Sequence, residues 1–229
     1  MSNSARLSPG MAFVALGLVP CLFALNNVAA RMAPGIVPPV ALAFWRWALA
    51  ALFLLPFVVR RLAGRRIDAR EIAHIVALGF VGMMIASIAT YWGAKTTASA
   101  NVGLIYATTP ALIMAFDRML DSEPLHGNQM VGLALSLAGM VCIIARGDLT
   151  NIASLNFGRG DLIIAAGTFG WALYSVLLKR WSSSLGIVER AALIALAGAI
   201  LTAPLALAEH VFIEPSTFSL AAVRIIAMV

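Results

Sequence analysis

Arg46 stands in Phe44-Trp45-Arg46-Trp47, about eight residues into an apolar run that begins at Pro38. A guanidinium stays charged, and near the centre of a hydrocarbon layer it costs at least about 2.5 kcal/mol. Two placements relieve that cost. The head can snorkel to the headgroup region, where flanking tryptophans also favour lying. Alternatively it sits in a polar cavity, where its fork of donors suits the carboxylate of an anionic or zwitterionic solute. Eight residues of helix rise about 12 Å, within reach of water for a long side chain, so both placements stay open.

Other polar groups interrupt apolar runs. Asn26 and Asn27 are adjacent, about 100° apart on a helix, so both cannot face lipid cheaply; at least one points inward, to a neighbouring helix or a solute. Tyr91, Trp92 and Lys95 close another run, where an interfacial aromatic belt also accounts for the first two. Tyr106, Thr108, Thr109 and Pro110 form the polar middle of a fourth. Pro110 removes a helix bond and frees a carbonyl near residue 106, which kinks the helix or offers an acceptor. Trp171 and Tyr174 can line the same cavity, although packing accounts for them as well.

The missing chemistry is informative. No Asp or Glu occupies the middle of an apolar run, which disfavours proton-for-cation exchange through a buried carboxylate. Neither HExxH, GxSxG nor a phosphate loop is present, so neither an enzyme nor a metal site is expected, and no cofactor. Asp117, Asp121 and Glu123 read better as a helix end and turn than as metal ligands.

Long elements must position these residues. Leu7 to Ala30, Ile75 to Ala94, Thr96 to Phe116, Gly127 to Ala145, Leu162 to Leu178 and Ala191 to Ala208 contain no charged residue or histidine. Apolar residues make up 62% of 229, charged residues 11%, and mean hydropathy is +0.94. A soluble domain carries roughly 25% charge, whereas about 20 apolar residues span a bilayer as a helix. Barrel strands would alternate over about 10 residues, and these runs do not. The sequence predicts an all-α membrane protein whose partner is the lipid bilayer. Net charge is +6, but the basic residues sit in short connections, where topology explains them without nucleic acid. Cys21 and Cys142 lie in apolar runs and read as free thiols.

Seven complete spans are expected, at 10–30, 38–59, 72–93, 98–117, 127–146, 160–179 and 188–208. An eighth begins near Phe218. Its 12 residues reach about 18 Å, short of the 30 Å core, and read as a fragment of a longer span or an interfacial piece. The first run has no clear cleavage site and reads as retained. With the N-terminus cytoplasmic, one side receives Arg6, Arg60, Arg61, Arg65, Arg66, Arg70, Arg118, Lys179, Arg180 and Arg190, and the other only Arg31, Lys95, Arg146 and Arg159. The positive-inside bias supports that orientation. Glycines at 79 and 82, at 132 and 139, and at 167 and 170 point to close helix packing. Phe23-Ala-Leu-Asn-Asn-Val-Ala-Ala-Arg31 is echoed 148 residues later by Trp171-Ala-Leu-Tyr-Ser-Val-Leu-Leu-Lys179. Five span steps separate the copies, which therefore face opposite ways, as in inverted-repeat carriers.

The chain resembles the drug/metabolite transporter superfamily with duplicated EamA domains. The resemblance runs through Asn26 to Arg31, Pro38-Pro-Val-Ala-Leu-Ala-Phe-Trp-Arg46 and Tyr91-Trp-Gly-Ala-Lys-Thr-Thr-Ala-Ser-Ala-Asn-Val-Gly-Leu-Ile-Tyr-Ala-Thr-Thr-Pro110. It continues through Asp121-Ser-Glu-Pro-Leu125, Gly132 to Gly139, Arg159-Gly-Asp161 and Trp171-Ala-Leu-Tyr174. It implies a multi-span bundle of inverted five-helix repeats, with residues 1–146 as the first repeat and 147–229 as an incomplete second. It also implies a bacterial inner-membrane secondary transporter, an exporter of amino acids or similar small metabolites. The cavity would include Asn26, Tyr91, Tyr106, Thr109, Trp171 and Tyr174. Phe116-Asp-Arg-Met-Leu-Asp121 is more charged than the family's usual lead-in. A second reading is a truncated, non-transporting structural or assembly protein of the membrane.

Overall fold

Apolar faces that meet lipid gain nothing from turning inward, so helices in a bilayer associate through small residues and polar contacts. A computed structural model of the protein describes residues 9–121, 126–145, 156–215 and 219–229. Among them every regular element is a helix: α1 (Pro9–Met32), α2 (Pro39–Leu62), α3 (Ala69–Leu78), a π-helical segment (Gly79–Ile85), α4 (Ala86–Ala94), α5 (Ser99–Ala107), α6 (Thr109–Asp121), α7 (Gly127–Ala145), α8 (Arg159–Arg180), α9 (Ile187–Phe212) and α10 (Leu220–Ala227). Segments 39–62, 69–94, 99–120, 159–180 and 187–212 are each long and apolar enough to cross a membrane, and Gly127–Ile143 is a shorter apolar helix. The protein is an all-α multi-pass membrane protein. Outward faces carry exposed apolar side chains such as Leu52, Phe53, Phe57, Leu135, Ile143 and Phe212, as contact with lipid requires.

Local chemistry sets the helix ends. Pro39 opens α2 in the first turn, where a missing N–H removes no intrahelical bond. Asp161 Oδ2 accepts from Gly158 N at 2.6 Å at the start of α8, and Glu189 Oε2 from Gly186 N at 2.9 Å at the start of α9; both reach back as a capping box does. Gly35 and Gly64 turn the chain after α1 and α2 at φ of 77° and 79°, left-handed angles that favour glycine.

The core joins α2 to α9 and the third span to α8. Buried Ala29, Ala30, Ala33, Val37, Leu42, Tyr91 and Ala94 form one cluster with Ala222 and Ile225 of α10. Ile75, Leu78, Met83, Leu185 and Ile194 form another. A Cβ at Gly79 would sit 2.9 Å from the Ala197 Cβ, and one at Gly82 only 2.5 Å from the Tyr174 ring. The expected span at 98–117 is divided: α5 stops at Ala107 and α6 starts at Thr109, so the break falls two residues before Pro110. There Thr108 Oγ1 donates to the Ile105 carbonyl at 2.6 Å.

The 148-residue offset extends beyond the nine-residue echo. α1 ends at Met32 and α8 at Arg180, α2 starts at Pro39 and α9 at Ile187, and each of the latter pair contains an internal proline, Pro56 and Pro204. Glu123, Arg146 and the boundary at 146/147 lie outside the described residues, as does Phe218.

Candidate functional site

Three helices bring one polar cluster together. Asn26 lies on α1, followed by the buried Ala29 and Ala30, Arg46 lies on α2 and Tyr91 on α4. Arg46 Nη1 donates to Asn26 Oδ1 at 3.0 Å and to the Tyr91 oxygen at 3.2 Å, while the Tyr91 hydroxyl donates to Asn26 Oδ1 at 2.7 Å. Asn26 and Tyr91 are buried, at 7% and 2% exposure. The triangle orients a charge that would otherwise be loose. Its guanidinium carbon also lies 4.7 Å from the Trp47 ring centroid, and Trp47 Nε1 donates to Ser87 Oγ at 2.8 Å. Arg46 is half-buried inside the bundle, so its neighbours, rather than headgroups, satisfy it.

Beside this triangle lies a cavity of about 300 Å³. Asn26, Asn27, Arg46, Thr90, Tyr106 and Thr109 supply its polar wall, and Phe23 and Trp171 an aromatic one. The two aromatic rings meet edge to face, with centroids 6.0 Å apart. Ala86, Ser87, Gly167 and Thr168 complete the described lining. No lining residue among those described is acidic. An arginine without a neighbouring carboxylate, in a cavity of this size, suits a small solute that brings its own negative group.

Of the residues singled out in the sequence, Asn26, Asn27, Arg46, Tyr106, Thr109 and Trp171 line this cavity. Tyr91 stands behind it and acts through Arg46 and Asn26. Its neighbour Trp92 is exposed at 41%, so the aromatic-belt account fits Trp92 and not Tyr91. Tyr174 is not among the lining residues; its ring packs over Gly82, 5.1 Å from the Trp171 ring. Sequence reasoning passed over Ser87, Thr90 and Thr168. The first two were legible as a stripe, because Ser87, Thr90 and Tyr91 follow the i, i+3, i+4 spacing of one helix face. Thr168 donates to the Ile164 carbonyl at 2.9 Å, so it also satisfies itself within its helix.

The two ends of the bundle differ. At the end bearing the α2–α3 and α8–α9 connections, Arg65 pairs with Glu189 at 3.2 Å and donates to the Ser184 carbonyl at 2.8 Å. Glu71 accepts from Ser183 Oγ, and from Ser184 N at 2.9 Å and Ser184 Oγ at 2.7 Å. Lys179 lies 3.5 Å from Asp117, and Arg180 donates to the Leu120 carbonyl. His74 stacks on Trp181 at 4.3 Å between centroids. At the other end, Glu209 of α9 accepts from Ala41 N at 2.9 Å, capping α2 from a different helix, and Lys95 pairs with Glu214 at 3.1 Å.

Comparison with known proteins places the chain. The model of the EamA-like transporter family matches residues 10–145. YyaM, an uncharacterized transporter of Bacillus subtilis, is 29% identical over 153 residues, or 66% of this chain and 50% of its own length. YedA, an uncharacterized inner membrane transporter of Escherichia coli, is 24% identical over 166 residues, 72% of this chain and 52% of its own. The chain thus spans about half the length of these two relatives. A protein of known crystal structure shares the fold with a TM-score of 0.64 at 24% identity, over 90% of this chain and 70% of its own. The chain belongs to the EamA-like transporter family.

Proposed function

We propose that this chain supplies the first repeat, residues 1–146, and part of the second, residues 147–229, of a secondary carrier. The carrier exports amino acids or similar carboxylate-bearing metabolites across a bacterial inner membrane, with its N-terminus cytoplasmic. The observation that carries this reading is the Arg46 guanidinium, held by Asn26 and Tyr91 beside a cavity whose described lining has no carboxylate. A carboxylate-bearing solute can meet that charge, while Phe23 and Trp171 offer an apolar surface for the rest of it. No covalent step is required.

Alternating access needs one fold with two equivalent arrangements. The 148-residue offset between Met32 and Arg180, between Pro39 and Ile187, and between Pro56 and Pro204 supports two related repeats. Phe23 and Trp171 occupy equivalent positions in the echo and touch each other, as residues close to a two-fold axis between inverted copies would. The family and the naming of its relatives as transporters support the same reading.

The test is efflux of a labelled panel of amino acids and related monocarboxylates from vesicles containing the purified protein. At least one solute leaves faster than from empty vesicles, and Arg46→Ala removes that difference. Equal rates for every solute, or an unaltered rate in Arg46→Ala, would overturn the proposal.

A further inference from the structure

A second cavity, of about 410 Å³, adjoins the first. It lies between the C-terminal part of α1 and the ends of α4 and α5, with Arg31, Met32, Ala94 and Ser99 in its wall. Asn27, Thr90 and Tyr106 belong to the walls of both cavities. The Thr90 and Tyr106 hydroxyls are hydrogen-bonded at 3.0 Å, so the partition includes one polar contact between side chains of two helices. Like the inner cavity, the outer one has no acidic residue in its described lining, and each has one guanidinium.

Phe23, Asn27 and Arg31 recur at four-residue spacing, which places them on one stripe of α1. Phe23 faces the inner cavity, Asn27 both, and Arg31 the outer one. From Asn27 to Arg31 the helix rises about 6 Å. Arg31 is exposed and takes no part in the ion pairs of the described residues. We propose that Arg31 is an outer station for a carboxylate, reached from Arg46 when the Thr90–Tyr106 bond opens. The inference rests on the carrier reading given above and adds the route and its exit.

The equivalent stripe of α8 supports the direction. Trp171, Ser175 and Lys179 stand 148 residues after Phe23, Asn27 and Arg31. Lys179 is held by Asp117 at 3.5 Å, at the end closed by the contacts of Arg65, Glu71 and Arg180. Among the described residues, Arg31 at one end lies beside a cavity outside any ion pair, while its counterpart Lys179 at the other end lies 3.5 Å from Asp117. The ordinary role of a basic residue in the last turn of a helix is to complement the helix dipole and the interface. That role alone assigns Arg31 no part in admitting a solute to the inner cavity.

A thiol placed on the inner wall reads the difference. With the exposed Cys21 and Cys142 replaced by serine, Thr109→Cys is treated in detergent at low ionic strength with two methanethiosulfonates, one bearing a sulfonate and the other a trimethylammonium. The anionic reagent reacts faster, and Arg31→Gln lowers the anion-to-cation rate ratio about four-fold, the scale of one unit charge about 10 Å away in water. Arg31→Lys retains the ratio and Lys179→Gln leaves it unchanged. Thr90→Val raises both rates several-fold at constant ratio. A ratio indifferent to Arg31, a ratio set by Lys179, or wild-type rates in Thr90→Val would each overturn the outer station and its gate. Absence of transport in vesicles would instead retire the carrier reading, since the thiol rates do not depend on which solute is carried.

Discussion

Arg46 is useful because it is held and not neutralised. Asn26 and Tyr91 fix one edge of its fork without adding a negative charge, which leaves the cation available. A lysine would keep the charge and lose the planar pair of donors. Arg46→Lys should weaken binding of a transported carboxylate about ten-fold, measured by quenching of tryptophan fluorescence, while Arg46→Ala abolishes it; equal affinities in Arg46→Lys and wild type would show that charge alone suffices. Tyr91→Phe removes the hydroxyl that links the other two groups and should cost about 1 kcal/mol of stability, seen as a lower melting temperature in detergent. Arg46 and Asn26 were legible in the sequence because a charge and an amide inside apolar runs demand partners. Ser87 and Thr90 carried only the weaker signal of their spacing with Tyr91, since hydroxyls can satisfy themselves against the preceding turn. Tyr91 and Trp92 are neighbours with opposite fates, and only their phase on the helix, set by the third span as a whole, separates them.

At the scale of elements, glycines decide which helices touch. A Cβ at Gly93 would stand 2.8 Å from the Gly160 carbonyl, backbone that cannot swing aside, whereas one at Gly132 or Gly139 would meet, among the described residues, no atom within 4 Å beyond its own stretch of helix. Gly93→Ala should therefore destabilise the bundle by about 1–3 kcal/mol, and Gly132→Ala should leave the melting temperature within a degree or so or raise it slightly through helix propensity. Comparable losses for the two would mean that the α4–α8 contact does not control packing. The helices themselves were readable from uninterrupted apolar runs, and their ends fell within a few residues of the expected ones. One feature was not readable and one was readable only in part. The π-helical turns over Gly79–Ile85 arise where the third span passes Tyr174 and the Ala197–Gly198 stretch of α9, a contact between distant segments. The break at Thr108 falls between Pro110 and the carbonyl near residue 106 that this proline was expected to free, and Thr108 Oγ1 also bonds the Ile105 carbonyl there. Equivalent glycine spacing in the sequence likewise hides the difference between Gly82, pressed on Tyr174, and Gly132, facing open space.

For the whole molecule, the balance between its two ends is the quantity that the proposed cycle must shift. One end is tied by contacts spread over four segments: Arg65 and Glu71 beside α3, Ser183, Ser184 and Glu189 around the start of α9, Asp117 on α6 and Lys179 on α8. The side chain of Arg65 is 44% exposed and that of Lys179 58%, so water screens these pairs and each contributes about 1 kcal/mol or less. Removing one therefore moves a two-state equilibrium by no more than about five-fold, enough to read and too little to unfold the bundle. In the inner-wall Thr109→Cys background, the anion preference of thiol modification should ignore Lys179 while the ties hold. Once Arg65→Ala and Glu71→Ala loosen that end, Lys179→Gln should begin to lower the preference, because a fraction of molecules then admits reagent past Lys179. Asp117→Asn should act in the same direction by releasing the ammonium itself. If Lys179 stays silent in both backgrounds, the polar ties hold the helices together without governing access, and the asymmetry between the two ends has no part in transport.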